Sequence, residues 1–82
     1  MSKIKIYTTA TCTFCRAEKA FLKEKGIEFD EIHVDQDSDA AEEMFAISGQ
    51  LGVPFTVITK EDGTSEGILG FDQARISAAL GL

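Results

Sequence analysis

Proline and cysteine are scarce in this chain, with one of the first and two of the second among 82 residues. Two cysteines three positions apart cannot tie distant parts of a fold together, which excludes a disulfide scaffold. No proline-rich or low-complexity stretch is present, so nothing reads as a linker or a disordered segment. Residues 1–82 therefore read as one domain around one core. Basic residues are few as well, 8 against 14 acidic ones, for a formal charge of −6. Phosphate backbones reward clustered Lys and Arg through counterion release. The scattered basic residues here argue against nucleic acid and anionic membranes as partners. A surplus of acid suits a partner with a basic docking surface instead. No run approaches the ~20 apolar residues of a membrane helix. The strand-like run Lys3–Tyr7 leaves no space ahead of it for a signal peptide. A cytoplasmic location is the expectation.

What is present reads as alternating elements. Lys3 to Tyr7 alternates and is rich in isoleucine, which predicts a strand. From Thr13 the pattern turns helical, with Phe14, Ala17, Ala20 and Phe21 on one face and Arg16, Lys19 and Lys23 on another. Glu18 and Glu24 alternate with these lysines and read as part of a solvated face. Gly26 ends the helix. Ile27 to Val34 predicts a second strand. Asp39, with Glu42 three residues on, resembles a capping box for a second helix whose apolar face holds Ala40, Ala41, Met44, Phe45 and Ile47. That helix stops near Ser48-Gly49. Phe55 to Thr59 predicts a third strand, Asp62-Gly63 a two-residue hairpin, and Gly67 to Leu69 the returning strand. Asp72 caps a terminal helix with Ala74, Ile76, Ala79 and Leu80. The order β-α-β-α-β-β-α makes a mixed sheet of four strands with helices on both faces.

The two cysteines stand where this pattern changes. Cys12 falls between the first strand and the first helix, and Cys15 one turn inside that helix. A thiolate attacks where a thiol does not. The unpaired N–H groups and positive dipole end of a helix start favour an anion there. Cys12 is thus the expected exposed nucleophile, and Arg16 stands close enough in sequence to add positive potential. Cys15 would lie beneath, placed to attack a mixed disulfide formed on Cys12. Phe14 would pack near this surface. Half a zinc site is the competing reading, yet a structural zinc takes four ligands. The single histidine, His33, is placed on another strand and reads as a partly buried residue without a catalytic role. The lone proline, Pro54, stands at the start of the third strand. It is either an ordinary strand-start proline or the site of a cis bond that presents Val53 as an extended edge.

Three segments, Tyr7-Thr8-Thr9-Ala10-Thr11-Cys12-Thr13-Phe14-Cys15, Ser48-Gly49-Gln50-Leu51-Gly52-Val53-Pro54 and Gly70-Phe71-Asp72, resemble the hallmark stretches of glutaredoxins in order and spacing. The resemblance spans nearly the whole chain and implies a thioredoxin-like α/β fold. It implies a thiol–disulfide oxidoreductase that reduces protein or glutathione mixed disulfides, with Cys12 as nucleophile and Cys15 as resolving thiol. It further implies a cis Pro54, a Val53 backbone that binds extended substrate, and Asp72 with the backbone around Phe71 receiving the amino end of glutathione. No tightly bound cofactor or metal is implied, with glutathione as a possible co-substrate. Disulfide-containing proteins would be the partners of a monomer, and glutathione or thioredoxin reductase the electron donor.

The departures from the family pattern bear on that donor. Thr9 stands where glutaredoxins commonly have lysine, Leu51 where many have arginine, Gly52 where many have threonine, and Thr13 replaces the proline of C-P-Y-C. Cations at the first two positions pair with glutathione carboxylates. The Gly70-Phe71-Asp72 stretch is also similar to glutaredoxin-like redoxins that take electrons from thioredoxin reductase and serve ribonucleotide reductase. Two other classes compete with the enzyme. One is a dimer holding an iron–sulfur cluster or zinc on Cys12, and the other a redox-inert module that uses only the groove at Val53-Pro54.

Overall fold

A computed structural model describes residues 3–82. Its elements run β1 (Lys3–Thr8), α1 (Thr13–Glu24), β2 (Asp30–His33), α2 (Ser38–Ser48), β3 (Phe55–Thr59), β4 (Ser65–Leu69) and α3 (Gln73–Leu80). The strands lie in the order β2-β1-β3-β4. β1 is parallel to β2 and antiparallel to β3, with Tyr7 opposite both Ile32 and Phe55, and β3 pairs antiparallel with β4. The β-α-β-α-β-β-α order and the four-stranded mixed sheet agree with the expectation.

Alternation along the strands sends side chains to two faces, and each face carries its own core. Ile4, Ile6, Ile58 and Ile68 point to one face and pack with Leu22 of α1 and Ile76 of α3. Tyr7 and Phe55 point to the other and pack with Ala40 and Met44 of α2. The faces therefore sort the helices, α1 and α3 on one side and α2 on the other.

Four local expectations need correction. The second strand is four residues long and does not begin at Ile27, because the end of α1 consumes that segment. Gly26 turns with φ of 70°, its N–H donates to Lys23, and the Ile27 N–H donates back to the Leu22 carbonyl at 2.9 Å. These paired bonds close the helix in a Schellman arrangement and leave Ile27 no N–H for a ladder. The cap of α2 is Asp37, whose carboxylate accepts from Ala40 N–H at 3.1 Å. Asp39 lies inside the first turn, where its charge favours the dipole. The hairpin loop is longer than two residues. Lys60 N–H donates to the Thr64 carbonyl and Gly63 N–H to the Lys60 carbonyl, so Glu61, Asp62 and Gly63 form the loop and β4 starts at Ser65. Finally, the apolar faces of both early helices are narrower than periodicity predicts. Phe14, Ala17 and Ala20 of α1 are exposed, as are Phe45 and Ile47 of α2. The buried stripe of α1 is Cys15, Glu18 and Leu22.

Candidate functional site

Cys12 is the N-cap of α1, with extended backbone angles and its Sγ accepting the Cys15 N–H at 3.1 Å. Sulfur here takes the place of the serine or aspartate oxygen that usually satisfies an orphan N–H of a helix start. Cys15 sits one turn on, with only 1% of its surface exposed, whereas Cys12 is half-buried. The two Cα atoms are 5.2 Å apart and the sulfurs are joined as a disulfide. Arg16 turns back toward the loop before the helix and donates to the Ala10 carbonyl at 3.3 Å, which holds a cation beside the segment leading into Cys12. The Ala10 N–H donates to Asp35, tying the same loop to the segment after β2. Phe14, between the cysteines, is 66% exposed.

The sheet register collects the other expected residues at this end of the molecule. Cys12 follows the end of β1. Pro54 immediately precedes β3, the antiparallel neighbour of β1, and Gly70 follows β4, the antiparallel neighbour of β3. The Val53–Pro54 peptide bond is cis, as the resemblance implies, and Pro54 is buried. Val53 packs its side chain against the cluster of Tyr7, Ala40, Met44 and Phe55. Gly70 N–H donates to the Pro54 carbonyl at 2.8 Å and so anchors the Phe71-Asp72 stretch to the cis-proline loop. Phe71 packs its ring against Phe21 of α1, with centroids 5.8 Å apart. Asp72 caps α3 by accepting the Arg75 N–H at 3.1 Å. His33 ends β2 opposite Thr8, exposed rather than partly buried, with Nε2 3.9 Å from Glu31. Among the described residues, no three His, Cys, Asp or Glu side chains of one chain converge as metal ligands. No helix among the described residues is long and apolar enough to cross a membrane.

Sequence reasoning missed the polar group beneath the dithiol. Glu18 is fully buried rather than part of a solvated face. Its Oε2 accepts a 2.5 Å hydrogen bond from the Thr56 hydroxyl, and its Oε1 has no hydrogen-bond partner among the described residues. Burial pushes this carboxyl above the ordinary carboxylate range, and the Thr56 bond opposes the rise only in part. The signal available in the sequence was spacing: Cys15, Glu18 and Leu22 fall at i, i+3 and i+7, the stripe of a buried helix face. A second polar cluster lies at the edge of the same face. Glu31 of β2 accepts from Lys19 at 2.7 Å and from the Thr8 hydroxyl at 2.9 Å.

Comparison with known proteins agrees with this geometry. The Glutaredoxin family model matches residues 4–62. A glutaredoxin-like 8.6 kDa protein of the rubredoxin operon of Clostridium pasteurianum is 44% identical over 73 residues, covering 89% of this chain and 91% of that protein. Glutaredoxin 3 of Escherichia coli K12 is 41% identical over 54 residues, 66% of this chain and 65% of the relative. Among solved structures, the glutaredoxin-like NrdH-redoxin of Escherichia coli superposes with a TM-score of 0.75 at 30% identity, covering 93% of this chain and 92% of that one. With a thioredoxin-like fold, a half-buried cysteine capping the first helix and a buried partner one turn on, the chain belongs to the glutaredoxin family.

Proposed function

We propose that this protein is a thiol–disulfide oxidoreductase that reduces disulfides by two-step exchange and takes its electrons from a thioredoxin reductase. The observation that carries the reading is the Cys12–Cys15 pair at the start of α1, one sulfur half-exposed and the other buried. In the reduced state the Cys12 thiolate is favoured by the helix N-terminus and attacks one sulfur of a substrate disulfide. That bond breaks, a Cys12–substrate disulfide forms, and the first substrate thiolate leaves and takes up a proton. Cys15 then attacks Cys12 Sγ, the second substrate thiolate leaves, and the two-electron oxidised Cys12–Cys15 disulfide results. A dithiol donor returns the two electrons by the reverse exchange.

Val53 supports substrate binding in this reading. No described residue takes up its backbone in a hydrogen bond, so an extended peptide could pair there as an added strand. Exposed Phe14 would supply apolar contact beside Cys12, and Phe71 with Asp72 would border the groove.

The preference for a reductase over glutathione rests on charge. Thr9 and Leu51 stand where cations would pair with glutathione carboxylates. Leu51 is exposed, and lines a groove with Val34 and Phe45 that is rimmed by Asp35, Asp37 and Glu42. That rim repels a peptide bearing two carboxylates. The structural relative in Escherichia coli is described by its thioredoxin-like activity profile, which points the same way.

The test supplies NADPH with either a bacterial thioredoxin reductase or glutathione plus glutathione reductase, and follows NADPH loss with a low-molecular-weight disulfide as substrate. The expected result is turnover with the first donor, abolished by Cys12→Ser. Replacing Cys15 by Ser should trap mixed disulfides. Turnover with glutathione alone would overturn the donor assignment, and full activity of the Cys12→Ser protein would overturn the mechanism.

A further inference from the structure

A buried carboxylate one helical turn from a buried cysteine sulfur needs an explanation, because an acid with no cationic partner is costly where water is excluded. Glu18 lies three residues after Cys15 on the inward stripe of α1, and both are fully buried. Residues at i and i+3 are neighbours on a helix, and helical side chains lean toward the N-terminus. The Glu18 side chain thus leans back over the turn that carries Cys15. Thr56 of β3 holds one carboxylate oxygen, and the other is left without a partner.

Among the described residues no cation pairs with it. On this side of the sheet Lys19 of α1 is taken by Glu31 of β2 at 2.7 Å and Arg75 of α3 by Glu66 of β4 at 3.6 Å. Once the disulfide is reduced, Cys15 is the other titratable group on the stripe, and Asp72 is occupied as the cap of α3. Packing alone would be served better by an apolar residue at position 18.

We propose that Glu18 is the internal proton acceptor for Cys15, directly or through one water, in the second step of the exchange described above, on which this inference rests. The Cys15 thiol is shielded and cannot hand its proton to bulk solvent. Its S–H proton passes to the Glu18 carboxylate, giving a neutral acid and a Cys15 thiolate. The thiolate attacks Cys12 Sγ, the Cys12–substrate bond breaks, and its electron pair leaves on the substrate sulfur. The departing thiolate recovers a proton as solvent enters, and Glu18 returns to its charged form in the next cycle. Burial raises the basicity of the carboxylate toward that of a thiolate, which suits it to this transfer. Thr56 is the positioning residue that fixes the carboxylate.

The reaction of the reduced protein with an aromatic disulfide whose thiolate is coloured separates the two steps. Each exchange releases one coloured thiolate, the first by Cys12 and the second by Cys15. Glu18→Gln should leave the first phase within about twofold of the native rate and slow the second about tenfold or more near neutral pH. The second-phase rate should level off above the carboxyl titration in the native protein, keep rising with pH in Glu18→Gln, and level off again in Glu18→Asp. An unchanged second phase with an unchanged pH profile in Glu18→Gln would overturn the proposal. The native protein supplies a check that needs no variant. Carbon-13 NMR of the Glu18 carboxyl should show its titration midpoint moving between the disulfide and dithiol forms, because neighbouring sites titrate together. A midpoint indifferent to oxidation state would overturn it too. Absence of the first phase in the native protein would instead refute the dithiol exchange itself, and the proton transfer with it.

Discussion

Gly67 of β4 lies under the ring of Phe55 of β3 so closely that a Cβ at position 67 would be 2.8 Å from Phe55 Cζ. The two positions are diagonal neighbours, since Phe55 pairs with Leu69 and Val57 with Gly67. Phe55 cannot swing clear, because it is buried and stacks on Tyr7 with centroids 6.0 Å apart. Gly67→Ala should therefore destabilise the protein by about 1–3 kcal/mol, the range for overpacking against a ring that cannot move away. Urea unfolding of the single variant, and of Gly67→Ala with Phe55→Leu, checks this. The second substitution should recover part of the loss if the ring is the obstacle, and a Gly67→Ala protein of native stability would refute the contact.

Asp72 does structural work at the site, whatever it does with substrate. Its carboxylate accepts the Arg75 N–H and starts α3, which in turn carries Ile76 into the core. Asp72→Ala should cost about 1 kcal/mol through the lost cap, while Asp72→Asn, whose side-chain oxygen can accept the same bond, should cost only a few tenths. Thermal unfolding of both variants distinguishes the two. Equal losses would mean that charge, not capping, sets the effect.

These relationships show which parts of the molecule were legible in the amino-acid order. Cys12 and Cys15 were legible because a strand pattern gives way to a helix pattern between them, and helix starts favour thiolates. The cap at Asp72 was legible for the same local reason. Glu18 was not, since an acid among lysines reads as solvated, and only the partner Thr56, 38 residues later, makes its burial tolerable. Ile27 carries a strand pattern without being strand because backbone hydrogen bonds at a helix end compete with a ladder, and side-chain pattern does not record which wins. Phe45 and Ile47 fit the apolar period of α2 yet stay exposed, because periodicity counts apolar residues without knowing how wide a stripe the sheet can cover.

Glu31 makes stability depend on pH on the acid side. Burial alone would push its carboxyl up, but the hydrogen bonds from Lys19 and Thr8 and the Lys19 charge outweigh burial and hold it below the ordinary carboxylate range. A lowered folded value means that the unfolded chain binds the proton first as pH falls. The stabilisation is therefore full above the ordinary carboxylate range and disappears as pH drops through the folded value. Lys19→Met should lower stability at neutral pH by about 1 kcal/mol, an estimate kept small because both side chains are partly exposed. Denaturant unfolding at neutral pH and at a pH below the Glu31 titration gives the check. The gap between native and variant should close at the acid end, and a gap independent of pH would rule out the ion pair as its source.

Tyr7 provides the matching test on the alkaline side, and it is the only tyrosine in a chain without tryptophan. Its hydroxyl donates to Glu43 of α2 at 3.0 Å. Burial first, then the hydrogen bond to Glu43, then the Glu43 charge push its phenol from 10.0 up to about 12. Because the folded value is the higher, the unfolded chain loses the proton first as pH rises. This contribution to stability is intact below the ordinary phenol range and is lost as pH climbs toward about 12. Glu43→Gln removes the charge and leaves the ring buried, so the phenol should titrate below the native value yet still above an ordinary tyrosine. Phenolate absorbance reports the one residue without overlap, and circular dichroism on the same samples shows whether ionisation precedes unfolding. If the native and Glu43→Gln proteins titrate together, the Tyr7–Glu43 bond contributes nothing to the shift, and burial against Phe55 and Met44 must account for all of it.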